Sequence, residues 1–571
     1  MANDINEDLL PLHEFVKLPT TIDFGTINSD RFKLYVRERP WLHVGTELAN
    51  EYVVVYLNEK YFNDLSNELG TVFSIEPRIL SPLSDKSNED SGITRVLNQP
   101  FLNLSGRGVI IGFVDTGIDY TKQAFKFEDG TSKILSIWDQ TIDGHRPDYL
   151  YFGSVYTKEQ IDDALKSEDP YSLVPTQDED GHGTFLASVA ASNETNEYIG
   201  AAPKASIIAV KLRRAHPFFI DRYALPESNP NLYESTDYLL GIKYILDRSE
   251  ELNVPVVICI GMGSNGSAHD GSSLFEDYIS FVARRTGYAF ITAAGNESNA
   301  KHHTQGKIAK TGSTDSISIK VGKSDTSFSL NIYGPAYDKI SVGVVSPTGE
   351  VISRVPFKVG RIYTEKLIFE NTEVSIRYTK SIDNRIFIRL LNATQGIWDI
   401  RLFGDTIISG NYYAWLPITG QISEFVEFLK PVPEYTIVYP ATALRTITVG
   451  AYDSNTNSLY VSSSWGPTRL PLMAPEFVAP GVNVKGIYPT GYGTMTGTSV
   501  SAAVTAGAAA LLMEWGIIQG NLPSMSGDLV RSLLISGCDR EDGMEYPNIK
   551  WGYGRLNLFD TFTTIKESAI L

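Results

Sequence analysis

Three short segments of the sequence carry the residue types that acyl transfer needs, namely a carboxylate, an imidazole and a hydroxyl. Asp115 follows the apolar run 109–114 and precedes Thr116 and Gly117. Such a run predicts a buried parallel strand, and ligand sites in open α/β sheets gather at the carboxyl ends of these strands. The position suits a catalytic carboxylate, although an isolated Asp here is more often a turn residue at the end of a strand.

The imidazole is that of His182, which lies between two glycines in the segment 180–184 (DGHGT) and directly precedes the apolar run 185–191. Glycines on both sides permit close approach and unusual backbone angles, so the ring can project from the start of a helix towards a cleft. A lone histidine is more often structural. The flanking glycines favour the functional interpretation.

The hydroxyl is that of Ser499, at the end of the segment 493–499 (GTMTGTS). The following residues 500–512 are almost all small or apolar, and a helix that is hydrophobic all round is buried. Its first turn would bring Ser499 to an interior cleft, where unpaired amides and the positive end of the helix dipole suit a developing oxyanion. The alternative is a simple helix cap, a role that serine performs well.

A fourth polar residue, Asn296, follows another apolar run in the segment 291–297 (ITAAGNE). Its side-chain amide could donate a second hydrogen bond to an oxyanion. An Asn after Gly is otherwise an ordinary turn residue.

The triplet Asp115-Thr116-Gly117 is also typical of aspartic proteases, which need a second such carboxylate on an equivalent strand. The similar triplet 90–92 (DSG) follows the polar residues 87–89 (SNE), which cannot form a buried strand. The sequence therefore disfavours an aspartic protease.

The elements that must position these residues are predicted from the apolar pattern. Short β-branched runs separated by helical patterns indicate a parallel sheet covered on both faces, and therefore an α/β core. These runs lie at 109–114, 207–210, 256–260 and 289–293, and the pattern resumes at 446–450.

Two other regions have a different character. Between about 308 and 434, many short alternating segments with turn signals predict an antiparallel sandwich or jelly roll inserted into the core. The first 80 or so residues contain a strand-like run at 52–57 and a helix-compatible stretch at 61–69, which predict a small α+β unit. The polar stretch 81–91 is a plausible linker.

Composition restricts the partners. A net charge of −18 over 571 residues opposes the positive surface that phosphate binding requires, so we expect no nucleic-acid partner. The first residues (MANDINEDLL) carry acids where a secretory signal needs basic and then apolar residues. No uninterrupted apolar stretch of about 18 residues occurs, so we expect no membrane partner and synthesis in the cytoplasm. Later release or packaging stays open.

No cofactor is predicted. The pair His302-His303 lacks a nearby cysteine pair or an HExxH helix, and the distant Cys259 and Cys538 cannot form a four-cysteine zinc site. Structural calcium is possible, but no carboxylate-rich loop has diagnostic spacing.

In the chain order Asp, His, Asn, Ser, these motifs resemble the subtilase family over about 110–300 and 435–560. The resemblance implies that Asp115 orients His182 and that His182 takes the proton of Ser499. Ser499 would then attack a peptide carbonyl, with Asn296 as oxyanion donor, to give an acyl-enzyme that water hydrolyses. It also implies a subtilisin-like core, with a mostly parallel sheet flanked by helices.

The resemblance further implies a substrate-binding strand at Gly261, Met262 and Gly263, where Ser-Leu-Gly is common in the family. Another departure is Ala503, which replaces the proline that usually follows the nucleophile. This change removes a helix-kinking residue but no chemical group, so we expect the mechanism to be retained.

Further phrases are similar to Csp-type germination subtilases of spore-forming bacteria, which have an N-terminal prodomain and a jelly-roll insert. The phrases are 137–140 (IWDQ), 261–271 (GMGSNGSAHDG) and 511–516 (LLMEWG). The implied organisation is a prodomain with linker at 1–97, a core at 98–307 and 435–571, and an insert at 308–434. By resemblance, the prodomain is a partner in cis that is cleaved within about 85–100 and lies in the cleft as an inhibitor.

Several functions remain in competition. The leading hypothesis is an endopeptidase that processes itself and activates a protein zymogen, such as a spore cortex-lytic enzyme precursor. One alternative is a pseudoprotease-like signalling or binding protein whose prodomain stays in the cleft. Another is a general intracellular subtilase that differs only in its substrate.

Overall fold

The computed structural model describes residues 10–49, 51–69, 74–75, 78–82, 91–193, 198–324, 326–470 and 472–568. Most of the predicted linker 81–91 lies outside these residues, as does the part 85–90 of the expected cleavage region.

An N-terminal α+β unit contains a four-stranded antiparallel sheet with the strand order β2-β3-β1-β4. A short further strand, β5, lies outside this sheet and pairs with two strands of the core. The strands are β1 Thr21–Ile27, β2 His43–Glu47, β3 Tyr52–Asn58, β4 Ser74–Ile75 and β5 Ile79–Pro82. The helices of this unit are α1 Leu12–Phe15, α2 Asp30–Arg37 and α3 Phe62–Leu69, whereas the next helix, α4 Ile93–Leu97, packs against the apolar cluster of the core.

The first part of the α/β core alternates strands with helices. Its strands are β6 Ile110–Asp115, β7 Ile134–Asp139, β8 Ser154–Thr157, β9 Ser206–Lys211, β10 Tyr233–Glu234, β11 Val256–Ile260, β12 Met262–Gly263 and β13 Tyr288–Ala293. Its helices are α5 Lys158–Lys166, α6 His182–Ala191, α7 Pro217–Arg222, α8 Ser235–Leu252 and α9 Leu274–Val282.

A sandwich of two antiparallel sheets follows, with the orders β14-β23-β16-β21-β20-β19 and β18-β17-β22-β15-β24. Apolar side chains from both sheets enclose a core of their own. The strands are β14 His303–Lys307, β15 Thr314–Val321, β16 Thr326–Pro335, β17 Lys339–Val345, β18 Val351–Val355, β19 Ile362–Leu367, β20 Thr372–Lys380, β21 Asp383–Ala393, β22 Gly396–Thr406, β23 Asn411–Trp415 and β24 Val426–Phe428.

The chain then returns to the core. The remaining strands are β25 Ile447–Asp453, β26 Ser458–Leu459, β27 Phe477–Pro480, β28 Val484–Tyr488 and β29 Gly491–Met495. The remaining helices are α10 Thr498–Met513, α11 Gly527–Ser536 and α12 Leu558–Ser568.

The core sheet has the order β26-β25-β13-β11-β6-β9-β7-β8, with β27 also paired to β25, and most of its pairs are parallel. Alternate side chains of each strand enter two different apolar clusters. In β6, Ile111 and Phe113 pack with α6 and α10, whereas Ile110 and Val114 pack with α8 and α9. The predicted parallel sheet with helices on both faces is confirmed.

Helix α10 is buried along its whole length. Within the described chain, the stretch Thr498–Ile518 is the one helical segment long and apolar enough to cross a membrane, but 83% of that window is buried inside the protein. Its composition therefore reflects its place at the centre of the core.

The N-terminal unit packs on the outer face of α8 and α9. Phe15 and Tyr56 share an apolar cluster with residues of those helices. Beside them, Arg213 binds Asp23 of β1 at 3.1 Å and Asp237 of α8 at 2.8 Å, and both carboxylates are buried. The contact between the two parts thus combines apolar packing with a buried ion-pair network.

Candidate active site

Asp115 and His182 form a buried pair at the carboxyl edge of the core sheet. Asp115 is the last residue of β6 and His182 is the first residue of α6. Their Oδ1 and Nδ1 atoms lie 2.7 Å apart, and the amide of Thr116 donates to the same Oδ1 at 2.8 Å. In the neutral ring, an Nδ1–H that donates to Asp115 leaves Nε2 as the acceptor for a substrate or nucleophile proton.

Asp178 holds these two elements together, and the sequence did not single it out. Its Oδ1 accepts from the Thr116 hydroxyl at 2.8 Å and from the amide of Gly181 at 2.9 Å. Its Oδ2 accepts from the amide of Thr184 at 2.8 Å. The carboxylate is buried, so it fixes the start of α6 against the loop after β6. Several acids precede His182 in the sequence, and local pattern could not select this one.

The glycines beside His182 have the geometric roles that the motif indicates. Gly181 precedes α6 with a φ of +91°, which residues with a Cβ rarely adopt. A Cβ on Gly183 would lie 2.2 Å from the carbonyl oxygen of Gly117. The close approach of α6 to the end of β6 therefore requires a glycine at 183.

The charge of His182 is controlled by its surroundings. Burial disfavours the imidazolium, but the Asp115 carboxylate, through its charge and its hydrogen bond, outweighs this effect. The pKa of His182 is consequently raised above its ordinary value of 6.5. A base with a raised pKa binds a proton readily and is stabilised once charged.

Ser499 lies in the first turn of α10, with its side chain fully buried. The space in front of Gly261 joins it to His182, because a Cβ at this glycine would lie 3.2 Å from Cε1 of His182 and 3.4 Å from Cβ of Ser499. Among the residues that the structure describes, neither Ser499 Oγ nor His182 Nε2 has a hydrogen-bond partner. The two groups are neighbours, and the bond between them is not formed. Such bonds are commonly long in sites without substrate.

Asn296 adjoins the start of the same helix. Its Oδ1 accepts from the amide and the hydroxyl of Thr498, each at 3.2 Å, and this hydroxyl in turn accepts from the amide of Gly295 at 3.0 Å. Because Oδ1 faces Thr498, Nδ2 is the group that can donate to an oxyanion, together with the amide of Ser499. Thr498 was not predicted, although its place beside Ser499 marks it as a candidate.

The segment Gly261-Met262-Gly263 borders a groove that is occupied by the chain itself. Met262 and Gly263 pair antiparallel with Pro82 and Ser81 of β5. The other edge of β5 pairs with β10, which places an extended segment between two strands of the core. The groove can therefore hold a peptide in the conformation that a protease substrate adopts.

The other polar candidates have structural partners. His302 Nδ1 lies 2.7 Å from Glu297 Oε2, and the ring of His303 stacks on Trp415 at 4.7 Å. Within the described ranges, no group of three or more His, Cys, Asp or Glu side chains is placed to hold a metal ion. Both cysteines are buried and free.

Comparison with known proteins agrees with this geometry. The sequence profile of the subtilase family, peptidase S8, matches residues 106–366 and 410–554. The solved structure of the Clostridium perfringens CspB protease has a TM-score of 0.74 and 33% sequence identity, over 84% of this chain and 97% of that chain.

Two curated relatives match shorter stretches. Serine protease AprX of Bacillus subtilis is 34% identical over 143 residues, which are 21% of this chain and 30% of that protein. Subtilisin DY of Bacillus licheniformis is 38% identical over 102 residues, 18% of this chain and 32% of that protein. The match thus spans about a third of the length of each relative. Because the family profile covers well over half of the sequence, the chain belongs to the subtilase family.

Proposed function

We propose that this protein is a serine endopeptidase with Asp115, His182 and Ser499 as its catalytic triad. One observation carries the proposal. The buried Asp115–His182 pair and the buried Ser499 hydroxyl face the same space, at the end of a groove that holds an extended peptide segment.

The chemistry derives from the geometry. Nε2 of His182 takes the proton of Ser499 Oγ as the oxygen attacks the scissile carbonyl carbon, and Asp115 stabilises the imidazolium. The Asn296 amide and the Ser499 N–H donate to the oxygen that becomes negative. His182 then gives its proton to the leaving amine, and water hydrolyses the acyl-enzyme in the same way. No metal or cofactor takes part in these steps.

The N-terminal unit acts as a prodomain in this proposal. β5 lies in the groove antiparallel to Met262 and Gly263, as a bound product would. Within the expected cleavage region 85–100, the chain is held by the core from Ser91 onward, because the carbonyl of Ser91 accepts from the amide of Leu558 and Ile93 is buried. We therefore expect the cut between Pro82 and Ser91, outside the described residues.

For the physiological role, we propose activation of a protein zymogen during spore germination, such as a cortex-lytic enzyme precursor. The similarity to the CspB protease and the Csp-type motifs support this role. We further propose that the protein is made in the cytoplasm and later associates with the spore, which fits the same setting.

An active-site fluorophosphonate probe tests the activity. We expect covalent labelling at Ser499 and loss of labelling when the protein is first treated with an inhibitor that occupies the same serine. N-terminal sequencing should find a new N terminus between residues 83 and 91. A folded protein that is neither labelled nor cut would contradict the proposal.

A second candidate is a pseudoprotease-like binding protein. The observation in its favour is that Ser499 and His182 are not hydrogen-bonded while β5 occupies the groove. This candidate predicts an intact chain of 63.1 kDa, whereas the endopeptidase predicts that the N-terminal fragment has been cut from it. Intact-mass measurement under denaturing conditions separates the two.

A further inference from the structure

A cluster of acidic side chains lies buried where the N-terminal unit meets the core. Asp23 comes from β1 of the N-terminal unit, whereas Glu234 and Asp237 come from β10 and from the first turn of α8. Each of the three residues is at most 3% exposed. Three carboxyl groups are therefore held away from water at this contact.

One guanidinium serves the cluster. Arg213 donates to the two oxygens of Asp237 at 2.8 and 2.9 Å and to Oδ2 of Asp23 at 3.1 Å. It also lies over the ring of Phe152, 3.9 Å from its centre. If all three carboxyl groups were ionised, three negative charges against one positive charge would leave a net charge of −2 in the interior. Burial makes such an uncompensated charge costly.

Two carboxyl oxygens of the cluster, Asp23 Oδ1 and Glu234 Oε2, have no hydrogen-bond partner among the described residues. The other oxygen of Glu234 accepts from the amide of His216 at 2.8 Å. The hydroxyl of Tyr56, from β3 of the N-terminal unit, is likewise buried without a described partner, and its ring packs edge-on against Tyr151. Because a proton removes the charge of a buried oxygen that lacks a donor, these two oxygens are the places where the cluster can hold protons.

His216 is the remaining titratable residue beside the cluster, and its ring is engaged elsewhere. Nε2 contacts the carbonyl of Pro19, and Nδ1 lies 4.0 Å from the carboxylate of Glu59. It is the backbone amide of His216 that faces Glu234. Within the described chain, Arg213 is therefore the cation in hydrogen-bond contact with the buried carboxyl groups.

These surroundings favour protonated carboxyl groups. Burial, followed by the charge of Asp237, raises the pKa of Asp23 to about 7, although Arg213 opposes this shift. Burial, followed by the charges of Asp23 and Asp237, raises the pKa of Glu234 well above its ordinary value. When the N-terminal unit leaves, water reaches the carboxyl groups and both pKa values fall. The contact therefore binds protons that the separated parts release.

We propose that the N-terminal unit binds the core together with protons held on Asp23 and Glu234, so that a rise in pH through neutrality weakens the contact and releases the unit. Affinity is greatest at low pH, where both groups are protonated in either state. It falls as pH rises, because the separated groups ionise first, and it levels off once the bound groups ionise too.

For Asp23 this decline covers the range from its ordinary pKa of about 4 to its pKa of about 7 in the contact. Glu234 extends the decline to higher pH. The inference goes beyond peptide-bond cleavage and adds a condition under which the unit leaves. It rests on the proposed function only in taking the unit to be cut from the core.

The self-processed protein gives the direct measurement. It is diluted stepwise at several pH values, and gel filtration yields the dissociation constant of the N-terminal fragment. This constant should rise about tenfold per pH unit for each proton taken up. Asp23→Asn and Glu234→Gln keep the size of the side chain without its charge. Each should reduce the pH dependence by about one proton and should bind more tightly than the unmodified protein at the highest pH.

Asp277→Asn is the matched control. Asp277 also lies at the contact with the N-terminal unit, where it accepts from the hydroxyl of Tyr52, but it is exposed and outside the cluster. This control should change the affinity by the same factor at every pH. A dissociation constant of the unmodified fragment that does not depend on pH would overturn the proposal, while the cut itself would still support the endopeptidase.

His216→Gln tests the neighbouring ring. A pH dependence that persists in both carboxyl variants and disappears in His216→Gln would place the proton on the imidazole and overturn the proposal. In the expected case, His216→Gln retains the pH dependence of the unmodified protein.

The uncut chain supplies a test that needs no cleavage. In the Ser499→Ala background, calorimetry compares the melting temperature with and without Asp23→Asn. The stability gained from Asp23→Asn should grow as pH rises, because the parent chain takes up a proton on folding and the variant does not. A difference that is the same at every pH would overturn the proposal. An unmodified protein that never cuts itself would contradict the endopeptidase and leave this comparison valid.

Discussion

The two halves of the candidate triad are built differently. Asp115 and His182 are hydrogen-bonded to each other, and Asp178 fixes the elements that carry them. Ser499 is equally buried, yet its hydroxyl makes no hydrogen bond to any described residue. The general base is therefore set before substrate arrives, whereas the bond to the nucleophile remains to be made. Substitutions in the two halves should differ in size and in kind.

The largest effect is expected from Ser499→Ala, which removes the nucleophile. Turnover should fall about a million-fold, the scale seen when this residue is removed from other serine proteases, and self-processing should stop. Ser501→Ala is the matched control, since Ser501 lies in the same buried turn but donates to the carbonyl of Ala479 at 3.0 Å. Active-site titration and intact mass measure both variants. If the purified Ser499→Ala variant still cut its own chain, Ser499 could not be the nucleophile.

Asp115→Asn should reduce kcat about 10⁴-fold, as in other triads, because the amide favours the wrong tautomer of His182. Asp119→Asn tests whether any buried carboxylate in this loop would have the same effect. The Asp119 side chain accepts from Thr121 and Tyr171 and does not touch the imidazole. We expect this control to retain most of its turnover in a peptide assay. A comparable loss of kcat in both variants would mean that the loss comes from disturbing the loop and not from the tautomer of His182.

Asn296→Ala should lower kcat by about 100- to 1000-fold with little change in KM, because the amide acts on the oxyanion. Thr498→Val removes the hydroxyl that donates to Asn296 Oδ1, and we expect about a tenfold loss in kcat from poorer positioning. In the double variant the two losses should not add, since Thr498 acts through Asn296. Additive losses would show that Thr498 acts independently.

The smallest effect concerns pH. Only neutral His182 can accept the serine proton, so kcat/KM falls as pH drops through the pKa of the free enzyme. Because Asp115 raises that pKa, this decline should be centred above pH 6.5. In Asp115→Asn the residual activity should decline at a lower pH, since the imidazolium loses its partner. A pH profile that is unchanged by the substitution would contradict the role given to the carboxylate.

Much of the core could be predicted because its signals are local. The apolar run 256–260 coincides with β11, and the run 109–114 differs from β6 by one residue at each end. Each motif also lies where strand ends and helix starts converge in an α/β fold. The glycines around His182 are informative for the same reason, since a backbone requirement is visible in the residue type itself.

The remaining features depend on contacts between distant segments. β5 is four residues long, and nothing in its sequence shows that it pairs with β10 on one edge and β12 on the other. Asp178 is one of several acids in its loop, and Thr498 resembles any residue of a helix start. The hydrogen bond from Asn265 to the carbonyl of Leu416 joins segments 151 residues apart, and no periodicity in the sequence could reveal it.

Because β5 is paired on both edges, cutting the chain after this strand would not by itself open the substrate groove. A cut after Pro82 would leave every backbone hydrogen bond of the strand in place, together with the buried Arg213 network. The cleaved fragment would then stay bound until it dissociates. The enzyme would become active only at that point, and dilution or a ligand that competes for the groove would keep the fragment from binding again. The dissociation rate of the N-terminal fragment would thus set the delay between synthesis of the protein and its first activity.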